Sequence, residues 1–151
     1  MTTKTDATAE YAYGGDFYNW TLKTSKLLRE GFISEVDLEQ VAEEIEDMGK
    51  SDKRALSSYL KLLMVHLLKW RYQPKYRGIS WKLSITNARD EIQDLLKDSP
   101  SLNAKVEQLM ADRYATARKR ASLETGLAPE SFPNACPFSV EQLLDDEYWP
   151  D

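Results

Sequence analysis

Apolar residues recur every three to four positions along most of the chain, which is the spacing of one face of an α-helix. No window shows sustained alternation of apolar and polar residues between turn signals, so no strand is predicted. The pattern predicts an all-α fold: a single-domain bundle of five main helices joined by short turns, with a short C-terminal helix. The predicted helices cover residues 17–30, 34–48, 51–72, 80–97, 100–125 and 139–144. Residues 1–15 are expected to form a flexible N-terminal tail, and residues 16–151 the domain.

Polar caps and glycines set the predicted helix ends. Asp16 can cap the first helix, because a short polar side chain accepts hydrogen bonds from free backbone N–H groups. Gly31, Gly49 and Gly126 follow the last apolar positions of the first, second and fifth helices, where glycine typically ends a helix. Pro100 suits the first position of the fifth helix, since proline lacks the N–H that would be unpaired there.

The apolar positions of the second helix are Leu38, Val41, Ile45 and Met48, with spacings of three, four and three. This stripe is expected to face the core of the domain. The third helix is apolar on nearly every side around residues 62–68, which is typical of a helix surrounded by others.

Composition narrows the class of protein. The chain has 151 residues, 42% of them hydrophobic, and a net charge of −5, which excludes a disordered chain and disfavours attraction of the whole molecule to nucleic acid or anionic membranes. A single cysteine, Cys136, excludes an intrachain disulfide and fits a reducing compartment. The sequence has no signal peptide and no apolar run near the ~20 residues needed to cross a bilayer. We therefore expect a cytoplasmic protein.

The charges are unevenly distributed. The stretch from Lys53 to Arg89 contains no acidic residue, although it holds nine of the 20 Lys and Arg side chains and the chain has 25 Asp and Glu. Its C-terminal half, residues 70–82, alternates cations with Trp and Tyr side chains. We call residues 70–82 the basic-aromatic turn, because Pro74 and Gly78 place it between the third and fourth helices.

This turn is the candidate binding site. Clustered cations with aromatic side chains are typical of surfaces that bind an acidic protein or single-stranded RNA, where Lys and Arg contact phosphates and aromatic rings stack on bases. The alternative is a structural turn whose cations are neutralised by carboxylates of the acidic second and fifth helices. The candidate binding residues are Lys69, Arg71, Lys75, Tyr76, Arg77 and Lys82.

The acidic run from Glu43 to Asp47 suggests a second function. Carboxylates on facing helices can bind Mg²⁺, as in some helical nucleotide pyrophosphohydrolases, and Glu91 and Asp94 are the conceivable partners. At 100° per residue, however, the apolar stripe centres opposite Glu43, and only Glu44 flanks it. A solvated acidic face is therefore favoured over a metal-dependent phosphohydrolase, and neither a metal nor a cofactor is predicted.

His66 is the sole histidine, which excludes a two-histidine metal site. Its position in the most apolar helix predicts a buried, hydrogen-bonded structural side chain. A proton-transfer or pH-sensing function is the alternative. These features favour an interaction module over an enzyme.

Several segments in one order resemble a family of bacterial proteins, most abundant in cyanobacteria, that is catalogued as domain of unknown function 29. The matching segments are DFYNW (16–20), VAEEIEDMGK (41–50), HLLKWRYQP (66–74), SW..SI..AR (80–89), DSPSL (98–102), ETGL (124–127) and FPNACPFS (132–139). The chain differs at Gly78, where similar proteins more often have a polar residue. The resemblance implies an all-helical domain and no particular activity.

Overall fold

A computed structural model describes residues 15–151. Within that range the chain is helical and has no strand, which confirms the all-α prediction. The expected N-terminal tail lies almost entirely outside the described residues. The α-helices are α1 (Phe17–Arg29), α2 (Leu38–Tyr72), α3 (Ile79–Asp98), α4 (Val106–Thr125) and α5 (Val140–Leu144). Short 3₁₀ helices cover Ile33–Glu35, Pro74–Tyr76, Pro100–Lys105 and Pro129–Ser131.

The prediction of two helices over 34–48 and 51–72 is wrong, because α2 runs without interruption through Gly49. A glycine stops a helix by adopting positive φ, and in the described residues only Gly31 and Gly126 do so. Gly49 instead stays helical within a 35-residue helix, at a local cost of about 1 kcal/mol relative to alanine. The helix begins at Leu38 after Asp37, whose Oδ1 accepts from the N–H of Gln40 at 3.1 Å.

Other predicted helix ends are confirmed. Asp16 Oδ1 accepts from the N–H of Asn19 at 3.0 Å and caps α1. Gly126, with φ of 77°, follows α4. Ser139 and Gln142 form a reciprocal capping box that begins α5. The start of the fifth predicted helix differs, since residues 100–105 form a 3₁₀ helix and the α-helix begins at Val106.

Contacts divide the chain into two compact units, Met1–Lys50 and Ser51–Asp151. The prediction of one domain over 16–151 stays a prediction. In the first unit the buried side chains of the described residues are Trp20, Thr24 and Val36.

The expected inward stripe of this unit is largely exposed: Leu38, Ile45 and Met48 are 56, 63 and 69% exposed, and Val41 is half-buried. Helical spacing identifies an apolar face correctly, but it does not state whether anything covers that face.

The second unit carries the hydrophobic core. Within residues 62–68 of α2, five side chains are buried, as the sequence predicts, but Leu62 is 39% exposed and His66 is half-buried, so this part of the helix is not surrounded on every side. α3 contributes Ile85, Ala88 and Ile92, and α4 contributes residues from Val106 to Ala121. Phe132, Phe138 and Leu143 extend the core into the C-terminal segment. No helix within residues 15–151 has both the length and the apolar character needed to cross a membrane.

Candidate functional site

The basic-aromatic turn lies where α2 ends and α3 begins. The N–H of Gln73 still bonds the carbonyl of Lys69 at 2.8 Å, and the N–H of Tyr76 then bonds the carbonyl of Gln73 at 3.0 Å. The chain thus passes through the 3₁₀ helix Pro74–Tyr76 and enters α3 at Gly78 in extended backbone conformation. No side chain caps the start of α3. Because the turn is hydrogen-bonded to α2, it presents its side chains in a defined arrangement.

Lys69 is neutralised inside the fold. Its side chain is 12% exposed, and its Nζ lies 3.7 Å from Oε2 of Glu124 on α4. The same Nζ lies 4.9 Å from the centre of the Trp81 ring, a cation–π distance. This candidate residue therefore has structural partners on two sides, and it is the part of the site that matches the alternative interpretation of internal neutralisation.

Arg77 is also held internally, but by carbonyl groups. Its Nε donates to the carbonyl of Trp70 at 2.7 Å, and its Nη2 donates to the carbonyl of Pro150 at 3.3 Å. The guanidinium stands 5.1 Å from the Trp70 ring centre. Arg77 thus connects the turn to the C-terminal segment, and within residues 15–151 it forms no ion pair with a carboxylate.

The remaining cations, Arg71, Lys75 and Lys82, are exposed, and none of them forms an ion pair with a carboxylate in the described part of the chain. Arg71 lies 5.6 Å from the Tyr72 ring centre. The three cations stand within twelve residues that contain no acidic side chain. They are three exposed positive charges in one short stretch of an acidic chain.

Most aromatic side chains of the turn pack against other residues of the fold. Trp70 is buried and packs 4.8 Å from Trp149 between ring centres. Tyr72 packs edge-on against Phe132 at 5.3 Å, and Trp81 is half-buried with Lys69 over its ring. Only Tyr76, which is 69% exposed, is a largely open ring among the four aromatic residues of the turn.

Two exposed apolar residues, one at the end of the turn and one directly after it, were not predicted as site residues from the sequence. Ile79 and Leu83 are 77 and 56% exposed and lie one helical turn apart at the start of α3. Lys82 is three residues after Ile79 and therefore on the same side of the helix. The helical spacing of the sequence could have identified them as exposed, since both residues lie off the Trp81–Ile85 stripe that packs into the fold. We call Arg71, Lys75, Tyr76, Ile79, Lys82 and Leu83 the basic-apolar surface.

A shallow cavity of about 320 Å³ adjoins the turn. Cation, carboxylate, amide and hydroxyl groups line it together with two aromatic rings, so it could accept a side chain that carries both polar and apolar atoms. Its lining residues are Lys69, Gln73, Tyr76, Trp81, Glu124 and Thr125.

Arg89 has a role that the sequence did not reveal. It is 1% exposed, its Nε donates to the carbonyl of Leu143 at 2.8 Å, and its Nη2 donates to the carbonyl of Gln142 at 3.0 Å. The guanidinium lies 5.7 Å from the Trp149 ring centre, and its Nη1 has no acceptor among the described residues. Burial lowers the pKa of Arg89, while the charges of Asp146 and Asp145 act in the opposite direction. Arg89 is a structural cation that binds the C-terminal end of α5.

The structure shows the surroundings of Cys136 and of the acidic run. Cys136 Sγ lies 3.8 Å from Met64 Sδ and 3.5 Å from the carbonyl of Phe138, and burial raises the pKa of its thiol. A raised pKa keeps the thiol protonated and therefore weakly nucleophilic. Between residues 15 and 151, no three His, Cys, Asp or Glu side chains are grouped closely enough to bind a metal ion. No observation favours the phosphohydrolase alternative.

His66 is half-buried rather than buried, which corrects the expectation from sequence. Its position about 80° from the Leu63/Leu67 stripe places it at the edge of the packed face. Nδ1 donates to the carbonyl of Leu62 at 3.0 Å, so the predicted hydrogen bond is present within its own helix. Desolvation is the main cause that lowers the pKa of His66 below 6.5, and the charge of Lys69 acts in the same direction.

The lowered pKa of His66 predicts a pH dependence. Below pH 6.5 the unfolded chain binds the proton more tightly than the folded one, so the contribution of His66 to stability is lost as pH falls through the lower folded pKa. His66→Gln should remove this dependence, and at pH 7.5 it should lower the free energy of unfolding by about 0.5–1.5 kcal/mol through the lost hydrogen bond. Urea unfolding of parent and variant between pH 5 and 7.5 measures both effects. Parallel pH profiles for the two proteins would contradict the assignment.

The family model described as "Domain of unknown function DUF29" matches residues 12–149. The chain belongs to this family. The match spans the segments from DFYNW to FPNACPFS that suggest the resemblance in the sequence, and it includes the basic-aromatic turn of this DUF29 chain. Searches of curated proteins and of solved structures returned no match. The family description assigns no activity, so the surface of this DUF29 chain is the basis for a proposal about its function.

Proposed function

We propose that this DUF29 protein is an interaction module whose basic-apolar surface binds an acidic, partly apolar protein surface. The observation that supports the proposal is the coincidence of three cations without carboxylate partners in the described chain, Arg71, Lys75 and Lys82, with exposed apolar side chains in the same short stretch. Protein interfaces combine these two features, because apolar contacts supply affinity while charges at the rim steer the encounter.

The arrangement of the surface favours a helical partner. Ile79 and Leu83 present an apolar pair one turn apart, and Lys82 lies beside them. An amphipathic helix that carries apolar residues on one face and carboxylates along its edges would match both elements. Tyr76, which belongs to the basic-apolar surface, also lines the cavity beside the turn, and this cavity could accept one side chain of such a helix.

RNA is the less favoured ligand because recognition of single strands depends on several rings available for base stacking. In the basic-aromatic turn, Trp70, Tyr72 and Trp81 already pack against other parts of the second unit. Tyr76 alone could stack on a base. An exposed aliphatic side chain such as Ile79 also forms neither a hydrogen bond nor an ion pair with a phosphate group.

The test is a binding assay with defined probes. A fluorescent acidic peptide with leucines at helical spacing should bind the parent protein, and binding should weaken as salt concentration rises. Lys75→Glu/Lys82→Glu should weaken it by about tenfold or more, which corresponds to about 1.4 kcal/mol or more. A peptide with serine in place of leucine should bind more weakly than the leucine peptide.

Gly78→Asp provides a variant that separates binding from folding. Gly78 has φ of −164°, which any residue adopts, and a Cβ there would meet only the carbonyl oxygen of Tyr76 at 4.0 Å. Aspartate is a good N-cap, so α3 should be as stable as before, while the new carboxylate should repel the acidic peptide. As a control matched in charge to Lys75→Glu/Lys82→Glu, Lys97→Glu/Lys105→Glu should bind normally, since α3 is about 30 Å long and Lys97 lies in its last turn, with Lys105 beyond it. Binding of oligo(U) RNA in preference to the peptide, or equal binding by all variants, would refute the proposal.

A further inference from the structure

The first half of α2 presents a second surface without a partner in the described chain. Leu38, Ile45 and Met48 project from it with more than half of each side chain exposed. Residues 39–47 contain five carboxylates, and residues 38–49 contain no Lys or Arg. We call Leu38, Ile45 and Met48, with Glu44 at their edge, the acidic-apolar face; the other four carboxylates lie on the remaining sides of the same segment.

Burial of this face is favoured. A large exposed side chain at each of three helix positions leaves a contiguous apolar strip, and such strips typically mark interaction sites. Gly49 adjoins the strip, and a Cβ built on it would have no neighbour within 4 Å, so the helix backbone can be approached closely there. The spacing of three and seven residues is that of one side of a helix–helix interface.

The acidic-apolar face has the properties that the proposed function requires of a partner. It lies on an amphipathic helical segment, about 15 Å long between Leu38 and Met48, that has apolar residues on one side, Glu44 at their edge and four more carboxylates on its other sides. Its charge is opposite to that of Arg71, Lys75 and Lys82 on the basic-apolar surface. By contrast, α1 ends with Lys26 and Arg29 in its last turn, so its exposed apolar residues lie beside charges of the wrong sign.

We infer that the protein associates with itself, the acidic-apolar face of one copy binding the basic-apolar surface of another. This inference rests on the proposed function and names the partner as a second copy of the chain. Pairing of two acidic-apolar faces is disfavoured, because like charges would then be brought together at the same interface. Two different surfaces in contact make a head-to-tail interface, which extends from copy to copy as a ring or an open filament.

Complementary variants test the inference. One variant, Ile45→Lys/Glu46→Lys, removes the acidic-apolar face; the other, Lys75→Glu/Lys82→Glu, removes the basic-apolar surface. All four side chains are exposed, so both variants should fold, which circular dichroism checks. By sedimentation, the parent should exceed its monomer mass of 17.4 kDa increasingly with concentration and return to it in high salt. Each variant alone should remain monomeric.

The decisive measurement is the equimolar mixture of the two variants. Each retains the surface that the other lacks, so the mixture should give a complex of two chains and nothing larger, whereas the parent extends further. The inference would be overturned if the parent stayed monomeric at every concentration. It would also be overturned if the equimolar mixture of the two variants formed no complex. Self-association that survives Lys75→Glu/Lys82→Glu would show that the acidic-apolar face pairs with itself. A monomeric parent that still binds the acidic peptide would leave the proposed function standing and refute only self-association.

Discussion

Arg89→Met is expected to lower the free energy of unfolding by about 2–4 kcal/mol, because it leaves two inward-facing backbone carbonyls without donors. The two acceptors, at Gln142 and Leu143, belong to the last residues of α5, where carbonyls have no partner within the helix. Methionine approximates the volume of the arginine stem, so the loss reports hydrogen bonding more than packing. The measurement is urea unfolding, with the slope against denaturant checked for constancy.

Arg89→Lys and Lys97→Met are the controls for this result. Lysine keeps the charge but not the planar fork that reaches both carbonyls, so Arg89→Lys should also be destabilised. Lys97 is exposed and should tolerate methionine within about 0.5 kcal/mol. If Arg89→Met were as stable as the parent, the hydrogen bonds to α5 would contribute nothing to the fold.

Phe132→Ala is expected to lower the free energy of unfolding by about 3–5 kcal/mol, as for other fully buried phenylalanines. The side chain is 2% exposed and meets the Tyr72 ring edge-on at 5.3 Å. The surrounding backbone is fixed, since Arg118 Nε donates to the carbonyl of Phe132 at 3.2 Å and Tyr114 donates to that of Pro133 at 2.6 Å. The site therefore cannot collapse readily around the cavity, which keeps the loss large.

Leu123→Ala is the matched control for the cavity experiment. Leu123 is as apolar as many core residues but is 75% exposed on α4, so its truncation should change stability by no more than about 0.5 kcal/mol. Equal losses for the two variants would indicate that Phe132 is not part of the cooperative core.

Helical spacing predicted most of the fold, and it failed where spacing carries no information about surroundings. The positions of α1, α3 and α5 agree with the sequence to within a residue or two. Gly49 was misread because a glycine after an apolar stripe suits both a helix end and a helix interior, and only the backbone angle distinguishes them. Phe132 escaped the core prediction because it lies in a proline-broken segment without periodicity.

The sequence shows where cations cluster along the chain but not which of them have partners in the fold. The absence of acidic residues from 53 to 89 does not distinguish Lys69, which reaches Glu124 fifty-five residues later, from Lys75, which reaches no carboxylate in the described chain. Arg77 and Arg89 likewise depend on carbonyls that are distant in sequence. Pairing across such separations follows from the fold, and no local pattern encodes it.

The hydrogen bonds from Arg77 and Arg89 to the C-terminal segment also bear on how the protein is made. Their acceptors lie between Gln142 and Pro150, at sequence separations of 53 to 73 residues from the donors. During synthesis, Arg77 and Arg89 are added to the chain 53 to 73 residues before these acceptors, so both guanidinium groups lack these hydrogen bonds until the C-terminal segment has emerged. The nascent bundle therefore cannot bury Arg89 until residues 142–143 have emerged, which makes docking of this segment a late step in biosynthesis.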